Sequence, residues 1–212
     1  MRHTGTARHL HRRDLLIAGG SLIGSVAARP LLAQGVLAPI GKVADLRGDA
    51  SAERAGTPPL PLGRQADIFV GDLLSTSRDA RLTLRLGPAT TIRLGGDTRL
   101  KIERYLAEVG GELDLQAGHL MFQRTGKPAS DGITFRSAYG LMAVRGTRFF
   151  AGPNRGQFAV LVGEGIVEVS AGGRTVLVRP QQGIDIKAPG QPPTTPATWK
   201  LPRIREMQQS FR

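Results

Sequence analysis

The chain has 212 residues, 40% of them hydrophobic, with 28 Gly, 14 Pro, no Cys and a formal charge of +12. That length holds one domain with tails, and the lack of cysteine excludes disulfides, thiolate metal sites and cysteine nucleophiles. The charge does not make a nucleic-acid groove, because no run of five basic residues occurs and the aromatics are too few and scattered for a stacking platform.

Residues 1–13, MRHTGTARHLHRR, are basic, and 14–28, DLLIAGGSLIGSVAA, are mainly apolar and small. This is the layout of a secretory signal, with cleavage expected after Ala33. Its apolar stretch is short and glycine-rich for a membrane span. Arg12-Arg13 followed by Asp14-Leu15-Leu16 resembles a twin-arginine export address. Removing 1–33 takes away five of the 29 basic and one of the 17 acidic residues, which lowers the formal charge from +12 to +8. The mature chain is expected not to span a membrane.

Strand alternation begins at IGKVADLRGDASAER, 40–54, with a turn at Gly48-Asp49. Prolines at 58, 59 and 61 make 56–76 an ordered loop or sheet edge, closed by Val70-Gly71-Asp72. Over 80–105, Leu82, Leu84 and Leu86 share one face against Arg81, Thr83 and Arg85, and Ile92, Leu94, Leu100 and Ile102 continue it. Leu113, Leu115 and Leu120-Met121-Phe122 follow, then ITFRSAY and LMAVRGTRFF. Residues 157–190 hold four short strand candidates separated by GEG, AGG and PQQG. The reading is all-β: about twelve short, Gly-punctuated strands over 38–190, in a sandwich or a short solenoid-like stack. A Pro/Thr linker, 191–198, leads to a short C-terminal helix within 199–212, an interaction tail able to dock through Trp199, Ile204, Met207 and Phe211 on its own domain or on another protein.

Ala143-Val144-Arg145-Gly146-Thr147-Arg148-Phe149 is similar to the A-x-R-G-T-x-F core of FecR-type periplasmic domains. Val160 to Val169, containing Gly163-Glu164-Gly165, resembles that family's V-x-E-G-x-V-E-V strand pair. Pro180-Gln181-Gln182-Gly183 resembles its P-G-Q-G turn with Gln181 replacing Gly, and Gly41-Lys42-Val43 and Val70-Gly71-Asp72 match its opening segments. The resemblance covers most of 40–190. It implies a periplasmic domain that receives a signal from an outer-membrane transporter and passes it to a sigma factor. This chain departs from that plan in showing an export signal in place of a cytoplasmic segment and an internal span. The expectation is therefore an exported, non-enzymatic interaction or scaffold module whose partner is a periplasmic or envelope protein. The alternatives are an envelope signalling regulator that senses a membrane transporter, and a glycan- or envelope-polymer-binding module.

Arg145, Gly146, Thr147, Phe149, Glu164, Gly165 and Gly183 are expected to be fold architecture, with the Arg145 guanidinium satisfying buried carbonyls or pairing with Glu164. No catalytic, cofactor or metal site is expected. Glu164 and Glu168 have no matching general acid, and His119, the one histidine after the signal, makes no zinc site alone. Asp72, Asp97 and Asp131 abut glycines and read as turn acids.

Overall fold

The computed structural model describes residues 38–126 and 129–211. The expected signal segment and its cleavage point lie outside the described residues. The strands follow the leucine alternation because successive side chains in a strand point to opposite faces. Sixteen are present among the described residues: β1 (Gly41–Arg47), β2 (Ala50–Glu53), β3 (Leu60–Pro61), β4 (Asp67–Ile68), β5 (Leu73–Thr76), β6 (Arg81–Leu86), β7 (Thr90–Leu94) and β8 (Arg99–Leu106) come first. They are followed by β9 (Gly110–Ala117), β10 (Leu120–Arg124), β11 (Gly132–Ser137), β12 (Gly140–Asn154), β13 (Gln157–Ala171), β14 (Arg174–Val178), β15 (Gln182–Ile186) and β16 (Ala197–Thr198). Among the described residues one helix, α1 (Leu201–Gln209), follows the last strand, so the all-β class and the short terminal helix stand. There are more strands than the alternation predicts because β3, β4 and β16 are two residues each, too short to show a period.

All sixteen belong to one hydrogen-bonded sheet, which curls as a half-barrel. Its order is β3-β2-β5-β8-β9-β11-β12-β10-β7-β6-β1-β4, with β13 along the other side of β12 and β14 and β15 beside β13. The proline-bearing β3 is at an edge, where a residue without an N–H does least harm. β9 and β11 pair in parallel, unlike their antiparallel neighbours. β12 joins the two halves of the sheet: Gly140–Val144 pair with β11 and Arg148–Ala151 with β10.

Curling brings the inner faces together in one apolar core. Phe122, Phe135 and Phe149, from β10, β11 and β12, meet with ring centroids 5.2–5.6 Å apart. Tyr139 stacks on Phe158 at 4.6 Å, so the two ends of the long β12–β13 hairpin lie close together. Tyr105 Oη donates to the Leu86 carbonyl at 3.0 Å and ties β8 to β6.

The Asp72 turn is tied in more firmly than a turn acid needs. Its fully buried carboxylate accepts from the Phe69 backbone N–H at 2.9 Å and from Arg54 Nε at 2.7 Å. The Arg54 guanidinium also lies 4.2 Å from the Phe69 ring centroid. Both partners answer the cost of burying a charge.

Candidate functional site

The Arg-Gly-Thr stretch forms a corner in the β12–β13 hairpin. Arg145 pairs with Ile166, Arg148 with Glu164 and Phe149 with Val162, so the register shifts twice within five residues. The first bulge puts an extra residue on β12, and the second puts one on β13 and restores the register. Each strand thereby changes which residues face inward: Met142 and Val144 are buried before the corner, Thr147, Phe149 and Ala151 after it. On β13, Val160 and Val162 give way to Val167 and Val169. Arg145 and Arg148 are both exposed although three residues apart, a spacing that would put them on opposite faces of a regular strand. Gly146, at φ +57°, and Gly165, at φ +75°, supply the backbone conformation that the paired bulges require.

The expected pairing of Arg145 with Glu164 is not what the structure shows. Glu164 pairs with Arg148, Oε1 to Nη2 at 2.8 Å, because the first bulge moves Arg148 opposite it. Arg145 Nη2 donates to the Ser130 carbonyl at 3.1 Å at the surface. Thr147 is buried and its Oγ1 has no hydrogen-bond partner. We expect Arg145→Ala to cost no more than about 1 kcal/mol, since it removes one exposed hydrogen bond. A thermal melt checks this, and a fall in Tm above about 5 °C would return the arginine to a structural role.

A groove of about 520 Å³ lies next to the corner, on the outward face of β11 to β14. Cross-strand pairing sets the row Thr134–Ala143–Glu168–Leu177 across it. Ala143 leaves the row low in the middle, while Arg145 and Ile166 rise beside it. Ile166 is 42% exposed and Leu177 49%, so two open apolar side chains line the groove. β14 pairs with β13 on one side, and no described strand takes its other edge. The groove thus ends on a strand edge with unpaired backbone groups, which can add a further strand.

The C-terminal tail docks on its own domain, over the outward face of the other half-sheet. The pairing there aligns Arg93, Met121, Phe150, Leu161 and Gly183 in one row from β7 to β15. Trp199 and Met207 are buried on this row with Phe150 and Leu161, and Ile204 and Phe211 pack at the margin. Gly183 is needed here because a Cβ would run into the Trp199 indole. Arg203 clamps the helix by donating to both Asp185 oxygens, at 3.0 and 2.5 Å, and to Asn154 Oδ1 at 2.8 Å, with its guanidinium 3.6 Å from the Trp199 ring centroid. The Pro/Thr stretch is laid against β15 through Thr194 and β16, so it runs along the sheet. Sequence patterning found the helix's apolar residues but carried no signal for Arg203.

His119 lies under the end of the tail. Its Nε2 is 3.3 Å from the Ser210 carbonyl and its ring meets Phe211 edge-on at 4.9 Å. Burial holds the imidazole below its usual pKa, and the nearby Arg81 charge pushes the same way against the Ser210 hydrogen bond. Among the described residues, no group of three or more His, Asp or Glu could hold a metal ion. Glu168 is in the groove and Glu164 at the corner, so the two glutamates are not brought together as an acid pair. Asp97 and Asp131 remain at turns.

Residues 72–168 match the family model described as FecR protein. The span runs from the Asp72 turn through the corner and ends within β13, so β14, β15 and the tail lie beyond it. No curated protein matches. Among solved structures, two crystal structures of a proposed anti-sigma factor from Parabacteroides distasonis are similar, at 14% and 16% identity and TM-scores of 0.53 and 0.51. Each covers 63% of this chain, which spans only 62% of the length of the chain it matches. Likeness at that identity is likeness of fold. No described helix is long and apolar enough to cross a membrane. Residues 72–168 therefore have the fold of a FecR domain, consistent with the FecR family.

Proposed function

We propose that this chain is a non-enzymatic regulator of envelope signalling, exported to the periplasm, which senses a membrane transporter by direct protein contact. The observation that carries this reading is the groove of the FecR-like domain, where exposed Ile166 and Leu177 adjoin the free edge of β14. Such an edge binds an extended segment by main-chain hydrogen bonds, with side-chain pockets adding selectivity. The FecR match and the fold shared with structures named as anti-sigma factors favour a signalling partner over a purely architectural one. Export through residues 1–33, with a twin-arginine-like address and cleavage after Ala33, belongs to the same proposal, as does the absence of any cofactor or nucleic-acid partner.

The test places a photocrosslinking residue at Leu177 in the full chain, in intact cells. We expect an identified membrane transporter or a component of a sigma-factor circuit to be captured, and Ile166→Glu to abolish both capture and the signalling output. Capture of a static envelope assembly with unchanged output would favour a scaffold role. Capture of nothing above background would overturn the proposal.

A further inference from the structure

Three arginines outside the groove converge on one cleft. It measures about 350 Å³ and lies on β1, β6 and β7, walled at one end by Phe211 from the tail. Arg47 and Arg81 are directly opposite each other in the β1–β6 pairing, and Arg93, opposite Thr83, sits one diagonal step away. Like charges directly opposite on one sheet face are destabilising. Among the described residues none of the three has an ion pair, and Asp45, the one carboxylate that lines the cleft, is held by Arg64 at 2.7 Å. Arg81 Nη1 donates to the Ala80 carbonyl at 2.7 Å, while its Nε is buried without a partner. Beyond Arg81 the row continues to Gly95, whose missing side chain leaves room for the His119 ring, and burial holds that imidazole toward its neutral form.

We propose that this cleft binds a small multivalent anion bearing phosphate groups. Three guanidiniums supply planar forks of donors that match phosphate oxygens two at a time. The cleft's size is at the lower end for small-ligand sites and far below what a protein interface needs. The same chemistry is offered by a soluble diphosphate and by the phosphate headgroup of a membrane lipid. The site is independent of the signalling proposal, since it shares no residue with the β14 groove.

The test uses the full chain with two probes: pyrophosphate in calorimetric titration, and sedimentation with vesicles of phosphatidylglycerol or of phosphatidylcholine. Two double variants with equal loss of charge are compared, Arg47→Gln/Arg93→Gln in the cleft and Arg99→Gln/Arg179→Gln elsewhere on the exposed surface. We expect binding to at least one anionic probe and none to phosphatidylcholine, with the cleft variant at least tenfold weaker and the surface variant within twofold of wild type. Binding to pyrophosphate identifies a soluble ligand, and binding to phosphatidylglycerol vesicles alone identifies a headgroup. The unliganded cleft variant is expected to melt no lower than wild type, because a repulsion has been relieved. Equal weakening by the two double variants, no binding of either anionic probe, or a fall in the cleft variant's Tm would each overturn the proposal.

Discussion

Asp72→Ala is expected to lower stability by roughly 2–4 kcal/mol, at the lower side of the range for breaking a buried ion pair because Arg54 is partly exposed. The substitution leaves the Phe69 N–H without its acceptor and the Arg54 guanidinium without its carboxylate, in a turn that connects β4 to β5. For a domain of this size the loss corresponds to a fall in Tm of about 5–15 °C. Arg54→Ala also costs stability, since it strands a fully buried carboxylate, and the double variant should lose less than the sum of the two. Thermal melts of the four proteins complete the cycle. Additive losses would show that the pair does not act as a unit, and a shift under about 2 °C for Asp72→Ala would remove it from the determinants of this fold.

Gly165→Val produces the second large loss. The residue is at φ +75°, and a Cβ there would come within 2.6 Å of Thr147 Cγ2 and 2.9 Å of the Gly146 carbonyl oxygen. Conformational strain and crowding are separable, because Gly156 has nearly the same φ, +76°, with nothing within 4 Å of a Cβ. Gly156→Ala should therefore cost about 1 kcal/mol, the penalty of a left-handed backbone alone. Gly165→Ala should cost more, and Gly165→Val at least roughly 3 kcal/mol, since a branched side chain must push Thr147 out of the core. Urea unfolding of the three variants gives the ranking. Equal losses at 156 and 165 would mean that the corner is not tightly packed, and that the bulges, rather than the contact across them, hold it.

The corner also shows where a linear reading of the motif stops. Arg, Gly and Thr at 145–147 carry the family resemblance, and glycines on both strands mark a departure from regular pairing. Which arginine meets Glu164 depends on a one-residue slip between the two paired strands of the β12–β13 hairpin, and a single strand has no pattern for that slip. The Asp72 turn has the same history: an acid beside glycine reads as a turn, whereas its partnership with Arg54 joins residues 18 apart across a proline-rich loop. In the tail, Trp199, Ile204, Met207 and Phe211 stand out by their apolar spacing. The surface that receives them is built from Gly183, Phe150 and Leu161 on three strands, and Arg203, which clamps the helix, looks in sequence like any exposed cation.

The all-β class, the glycine turns, the terminal helix and most of the inward-facing leucines were determined by the sequence alone, because each follows from a period of two or from a local backbone preference. Pairing partners, the curl of one sheet into two facing halves and the exchange of inward faces at the corner were decided only in the tertiary structure. So was the gathering of Arg47, Arg81 and Arg93 into one cleft. These depend on contacts between segments far apart in the chain, which the burial of a shared core selects and local periodicity does not encode.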